Sequence, residues 1–105
     1  MRTLKEENYL ELKNSWTKTK VVVTLVYTPT CGTCQLAKKM LEVVQETLPT
    51  VAFRQINLNF NESLALDYEI LSIPCLLIHH NHSIVNKSYK FQSVPYLYEK
   101  INSYI

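Results

Sequence analysis

The sequence predicts an α/β fold, a central mixed β-sheet flanked by helices on both faces, within one domain spanning residues 1–105. Three observations carry this expectation. An apolar, β-branched run from Lys20 to Tyr27 passes through a short turn into a stretch of helical period, Cys31 to Leu48. A second, alternating strand, roughly Val51 to Leu58, then follows, as a parallel strand reached by a right-handed crossover would. Beyond it, "SIPCLLIHHNHSIVNKSYKF" reads as two strands joined at Asn81 and His82, and a hairpin adds antiparallel strands, which makes the sheet mixed.

Taken in order, Leu4 to Trp16 sets Tyr9, Leu12 and Trp16 at helical spacing among Glu and Lys, which predicts an amphipathic helix on one side of the domain. The run Lys20 to Tyr27 has almost no polar position, as expected of a strand covered on both faces at the middle of a sheet. Along Cys31 to Leu48 the residues Ala37, Leu41, Val44 and Leu48 recur at steps of four, three and four, with Leu36 and Met40 widening the stripe, and Pro49 ends the helix. The strand from Val51 alternates as far as Leu58 and is broken by Asn57, Asn59 and Asn61, after which Glu62 to Tyr68 reads as a short helix. From Val94 onward Leu97, Tyr98, Ile101 and Ile105 fall on one helical face, and Pro95 suits the first turn.

Composition narrows the function classes. Hydrophobic residues at 47% and charged residues at 19% are ordinary for a globular chain, and 105 residues suffice for one modest core. The net charge of +2 arises from 11 basic and 9 acidic residues with no basic stripe, which argues against nucleic acid as a partner. Charged residues interrupt the first twenty positions, so a signal peptide is not expected. The longest apolar run is far short of the roughly 20 residues of a spanning helix. These features predict a cytoplasmic protein that binds no membrane. Three cysteines in a reducing compartment do not make a disulfide framework, so any disulfide should be transient.

The chemistry is concentrated in "TPTCGTC", Thr28 to Cys34, where the central strand turns into the long helix. With the helix starting at Cys31, a spacing of three puts Cys31 and Cys34 on one face, within reach of each other. Unpaired N–H groups and the positive end of the helix dipole at Cys31 favour an anion, so this thiol should ionise more easily than a free one at about 8.5 and act as nucleophile. One turn further in, Cys34 should stay a thiol until a mixed disulfide forms on Cys31, and then displace the bound partner. Gly32, the one glycine in the chain, leaves room between the cysteines for a partner's backbone. A zinc site is the competing reading of the pair, using Cys75 or the cluster His79, His80 and His82. With Cys75 opening a strand, His79 and His82 lie roughly 13 and 23 Å along it at ~3.3 Å per residue, and read better as a solvated turn.

An apolar strand running into "CGTC" at a helix start, "NLN" closing the next strand, "SIPCLLI" some forty residues on, then a hairpin and a last helix resemble the thioredoxin family. The likeness covers the chain from about Lys20, and it implies a first strand before Tyr9. It further implies that Pro74 is cis and lies against the cysteine pair, while Ile73 offers its backbone to an extended partner chain. Thr30, Gly32, Thr33 and Cys75, beside these two, complete the implied substrate-binding set.

The sequence departs from the family pattern at several of these places. Thr30 and Thr33 stand where Trp and Pro are usual, Leu25 where a buried acid helps deprotonate the resolving thiol, Gln55 where a lysine accompanies it, and Cys75 where Thr follows the proline. Cys75 admits a buried structural role or an alternative disulfide or metal site with the pair.

The resemblance implies a thiol–disulfide oxidoreductase that reduces protein disulfides through Cys31 and Cys34. It would have no cofactor beyond that redox-active pair and would work as a monomer in electron transport and cell redox homeostasis. Its reductant would be a flavoprotein reductase or a low-molecular-weight thiol. The alternatives are a thioredoxin-fold binding module with little catalysis, and a metal site of Cys31, Cys34 and Cys75.

Overall fold

The computed structural model describes residues 2–105. Its elements are β1 (Lys5–Glu6), α1 (Tyr9–Lys18), β2 (Val21–Tyr27), α2 (Gly32–Thr47), β3 (Ala52–Asn57), a 3₁₀ turn (Leu58–Phe60), α3 (Glu62–Asp67), β4 (Cys75–His80), β5 (Ser83–Ser88) and α4 (Val94–Asn102). The five strands form one sheet in the order β1-β3-β2-β4-β5. β3 runs parallel to both β1 and β2, while β4 is antiparallel to β2 and to β5. The mixed sheet expected from the sequence is therefore present, with β2 at its centre.

Alternation along the strands divides the core. Val21, Val23 and Leu25 of β2 and Leu76 and Ile78 of β4 pack with Ala37, Leu41 and Val44 of α2 and with Leu97 and Ile101 of α4. Val22 and Val26 of β2 and Cys75 and Leu77 of β4 pack instead with Leu12 and Trp16 of α1 and with Leu64 of α3. Successive strand residues point to opposite faces, so a strand covered twice must be apolar at nearly every position. That is why "VVVTLV" is buried without interruption.

Three local expectations need correction. The first is the helix from Leu4. Leu4 is buried in the α2/α4 core, and Lys5 and Glu6 pair with Arg54 and Gln55 as a short edge strand. The helix begins only at Tyr9, where the Asn8 side chain accepts from the Glu11 N–H and the Glu11 carboxylate accepts from the Asn8 N–H. This capping box satisfies two donors that a helix start leaves open, and Asn followed three residues later by Glu was its signal in the sequence. Buried Glu7 locks the junction, with Arg54 Nε at 3.1 Å and the Ser15 hydroxyl donating at 2.8 Å.

The second correction concerns apolar residues assigned to helix faces. Leu36 is 58% exposed, and Tyr98 and Ile105 are exposed as well, with Ile105 beyond the end of α4. The third concerns the histidines. His82 lies in the exposed hairpin turn, but His79 is buried and stacks on Trp16 at 3.7 Å between ring centroids.

Two turns show backbone conformations that the composition conceals. Asn81 and His82 both have positive φ, 49° and 76°, as the tight β4–β5 hairpin requires. α3 ends in a Schellman arrangement in which the Ile70 N–H donates to the Ala65 carbonyl at 2.9 Å, and Glu69 occupies the left-handed position at φ 51°. A side chain there crowds the following carbonyl at a cost of roughly 1–2 kcal/mol. Glu69→Gly should accordingly raise unfolding stability by about 1 kcal/mol, read as a higher urea midpoint with an unchanged slope; an unaltered midpoint would refute this account.

Candidate active site

The site forms at the C-terminal end of β2. After Tyr27 the chain turns through Thr28, Pro29 and Thr30, with the Cys31 N–H donating to the Thr28 carbonyl at 3.2 Å. Cys31 then caps α2, and its sulfur accepts from the Cys34 N–H at 3.2 Å. Cys31 and Cys34 are joined as a disulfide, their Cα atoms 5.2 Å apart. The two differ in access: Cys31 is part-exposed, whereas Cys34 is 1% exposed beneath the first turn. Thr30, Gly32 and Thr33 are exposed around them.

A Cβ built on Gly32 would meet no atom within 4 Å, so nothing in the fold itself demands glycine there. The surface over this residue is open to an approaching chain. Thr33 adds a polar neighbour, with its Oγ1 3.4 Å from the Cys31 sulfur. In the reduced protein this hydroxyl can donate to the Cys31 thiolate, and a hydrogen bond to a charged acceptor is worth roughly 1.5–3 kcal/mol, less where water competes. Thr33→Val should slow alkylation of Cys31 at pH 6 by about three- to tenfold. Thr33→Ser should restore it, and equal rates in all three proteins would remove the hydroxyl from the picture.

β4 brings the second segment to the same end of the sheet. Cys75 pairs with Val26, so Pro74 comes level with the end of β2 and Ile73 falls just beyond it, and the Ile73–Pro74 peptide bond is cis. Both residues are half-buried. Of the readings open for Cys75, the structure shows the buried one. Its side chain is fully buried on the α1/α3 face, the face opposite α2, where burial pushes the thiol up to about 11 against a small lowering by Lys87. A thiol so placed is protonated near neutrality and closed to a partner's side chains. Among the described residues no three Cys, His, Asp or Glu side chains come together as metal ligands, so the geometry does not unite Cys31, Cys34 and Cys75.

Leu25 is fully buried under α2, and its register partner on β3 is Gln55. The Gln55 amide donates to the Leu4 carbonyl at 2.8 Å, which ties β3 to the N-terminal segment. Both family departures are thereby absorbed into packing.

A groove of about 310 Å³ runs beside the disulfide, lined by Thr33, Leu36, Met40, Pro74, Tyr89 and Phe91. Leu36 and Met40 follow core periodicity, which hid them, while Tyr89 and Phe91, read from the sequence as the end of the second hairpin strand, lie in the loop beyond the end of β5 at Ser88. Tyr89 is held in place by the Leu71 N–H, which donates to its hydroxyl at 3.0 Å.

The family model described as thioredoxin matches residues 1–103. The chain belongs to the thioredoxin family. Thioredoxin-like protein YusE of Bacillus subtilis (strain 168) is 52% identical over 81 residues, covering 77% of this chain and 76% of that protein. Thioredoxin of the same organism is 29% identical over 86 residues, covering 81% and 83%. A point mutant of thioredoxin from Halobacterium salinarum NRC-1 superposes with a TM-score of 0.87 at 26% identity, over 96% of this chain and 88% of that one. As a thioredoxin-family protein with a paired CxxC, the chain is a thiol–disulfide oxidoreductase. No helix among the described residues is long and apolar enough to cross a membrane.

Proposed function

We propose that this thioredoxin-family protein reduces disulfides in protein substrates by a two-step exchange, with Cys31 attacking and Cys34 resolving. The observation that carries this reading is the difference in access between the two sulfurs, one part-exposed at the cap of α2 and the other buried below it. In the first step the Cys31 thiolate attacks one sulfur of the substrate disulfide. That bond breaks as the Cys31–substrate bond forms, and the electron pair leaves on the second substrate sulfur, which takes a proton from water. In the second step Cys34 loses its proton and attacks the Cys31 sulfur, releasing the remaining substrate thiolate to be protonated. The substrate gains two electrons and two protons, and the protein ends as its Cys31–Cys34 disulfide.

Thr30, Gly32 and Thr33 form the exposed surface that the substrate chain crosses, and Ile73 presents its backbone beside Pro74. Leu25 supplies no carboxylate for Cys34, so its proton goes to water or to the departing thiolate. We take the protein to act as a cytoplasmic monomer, reset by a flavoprotein reductase or a low-molecular-weight thiol. The test is catalytic reduction of insulin disulfides with dithiothreitol as electron source. Many turnovers per protein support the reading; stoichiometric contact with no catalysis would replace it with a binding role.

A further inference from the structure

The segment that leads into Ile73 and Pro74 is fastened from outside itself. Between the end of α3 at Asp67 and the start of β4 at Cys75 no residue belongs to a helix or a strand. Tyr68, Ile70 and Ile73 rest against the α1/α3 core, whereas Glu69, Leu71 and Ser72 are exposed, Leu71 at 86%. The backbone groups of such a segment have no ladder to join and must find their partners elsewhere.

The chain around the end of β5 supplies them. The Lys87 ammonium donates to the Tyr68 carbonyl at 3.2 Å and to the Glu69 carbonyl at 3.0 Å. Two residues on, just past the strand, the Tyr89 hydroxyl accepts from the Leu71 N–H at 3.0 Å. Two side chains thus hold three backbone groups within four residues, Tyr68 to Leu71. Lys87 stands opposite Leu77 in the β4–β5 ladder, so the sheet fixes where its stem begins. Its ammonium also meets the carbonyl end of α3, where a positive charge is favourable. Among the described residues Lys87 joins no ion pair, so its bonds go to the backbone of this segment.

We propose that Lys87 and Tyr89 are positioning residues for the exchange, holding Tyr68 to Leu71 so that the backbone of Ile73 is in place before a substrate chain arrives. This rests on the reading that Ile73 presents its backbone to the substrate, and adds what keeps it there. A loop ordered beforehand spares the complex the entropy of ordering it. Loss of the clamp therefore weakens binding of a peptide chain and leaves the sulfur chemistry unchanged.

The test compares Lys87→Met, which keeps the stem and removes the donors, with Lys87→Arg, which keeps cationic donors. In steady-state reduction of a disulfide-linked peptide, Lys87→Met should raise KM about fivefold at unchanged kcat, a modest effect because water competes at this exposed site. Lys87→Arg should recover most of the loss. Bis(2-hydroxyethyl) disulfide has no peptide backbone, and all three proteins should reduce it equally fast. A wild-type KM in Lys87→Met, or an equal slowing of both substrates as a general loss of structure would give, would overturn the proposal. Hydrogen exchange reads the second arm: in Tyr89→Phe, which keeps the ring and loses the acceptor, the Leu71 amide should exchange about tenfold faster while the β4 amides stay protected. Unchanged exchange at Leu71 would remove Tyr89 from the clamp.

Failure of the wild-type protein to reduce either disulfide would count against the exchange reading and not against the clamp. Titration of the oxidised proteins with the same peptide carrying Ser for Cys reads the clamp without exchange. Binding about fivefold weaker in Lys87→Met supports the proposal there, and equal affinities defeat it.

Discussion

Replacing Cys31 by Ser is expected to leave less than about a thousandth of the turnover, while replacing Cys34 by Ser stops the cycle at a covalent intermediate. A serine hydroxyl is not ionised near neutral pH, so Cys31→Ser lacks a nucleophile, and losing a nucleophile costs several orders of magnitude in enzymes that depend on one. Cys34→Ser keeps the reachable sulfur at the cap of α2 and removes the one buried beneath it. It should accept one substrate chain per protein and hold it as a mixed disulfide on Cys31, visible as a mass increase that a reductant reverses. An adduct of Cys31→Ser on Cys34, or full catalytic turnover by Cys34→Ser, would contradict the division of labour. Cys75 does not confuse this readout, because burial keeps its thiol protonated and closed to reagent.

The second large effect concerns acid stability and originates away from the disulfide. His79 is 1% exposed between Trp16, on which it stacks, and Tyr68, whose ring meets it edge-on. Burial pushes its imidazole down to about 4, from 6.5 when free, because a charged ring would lose its water without gaining a partner. The sign follows from linkage. Between the two values the unfolded chain binds a proton that the folded chain refuses, so stability falls as pH falls. The contribution is whole above about pH 6.5 and is lost progressively down to about pH 4. At 1.36 kcal/mol per pH unit the loss amounts to about 3 kcal/mol. His79→Phe preserves the stack and removes the titration. Urea unfolding at pH 7 and pH 4 should therefore show the wild-type protein losing about 3 kcal/mol more than the variant, and parallel losses would exclude His79 as the cause.

His79 also shows why reading by residue type failed locally. In the sequence it belongs to "HHNH" and looks like part of a polar turn. Strand alternation decides otherwise. Leu77 and His79 point to the α1/α3 face, where α1 supplies Trp16 as a lid, while His82 remains in the turn. The same alternation sends Cys75 to that face, where it packs in one cluster with Leu12, Trp16 and Leu64. Periodicity misled at Leu36 for a related reason. It continues the apolar spacing of α2, but the side chain is exposed and lines the groove instead.

What the sequence determined unaided was the mixed α/β sheet, the central strand, the long helix opening at the cysteine pair, and the hairpin at Asn81 and His82. Each is written within a short window: period 2 or 3.6, a capping residue, a turn pair. Tertiary structure alone decided that Leu4 joins the α2/α4 core, that Cys75 and His79 share the α1/α3 face, and that Tyr89 and Phe91 close a groove against α2. These depend on which residues distant in the chain come to lie against one another. Local periodicity carries no information about that, because a buried position and a groove wall can share one pattern until the opposing element is in place.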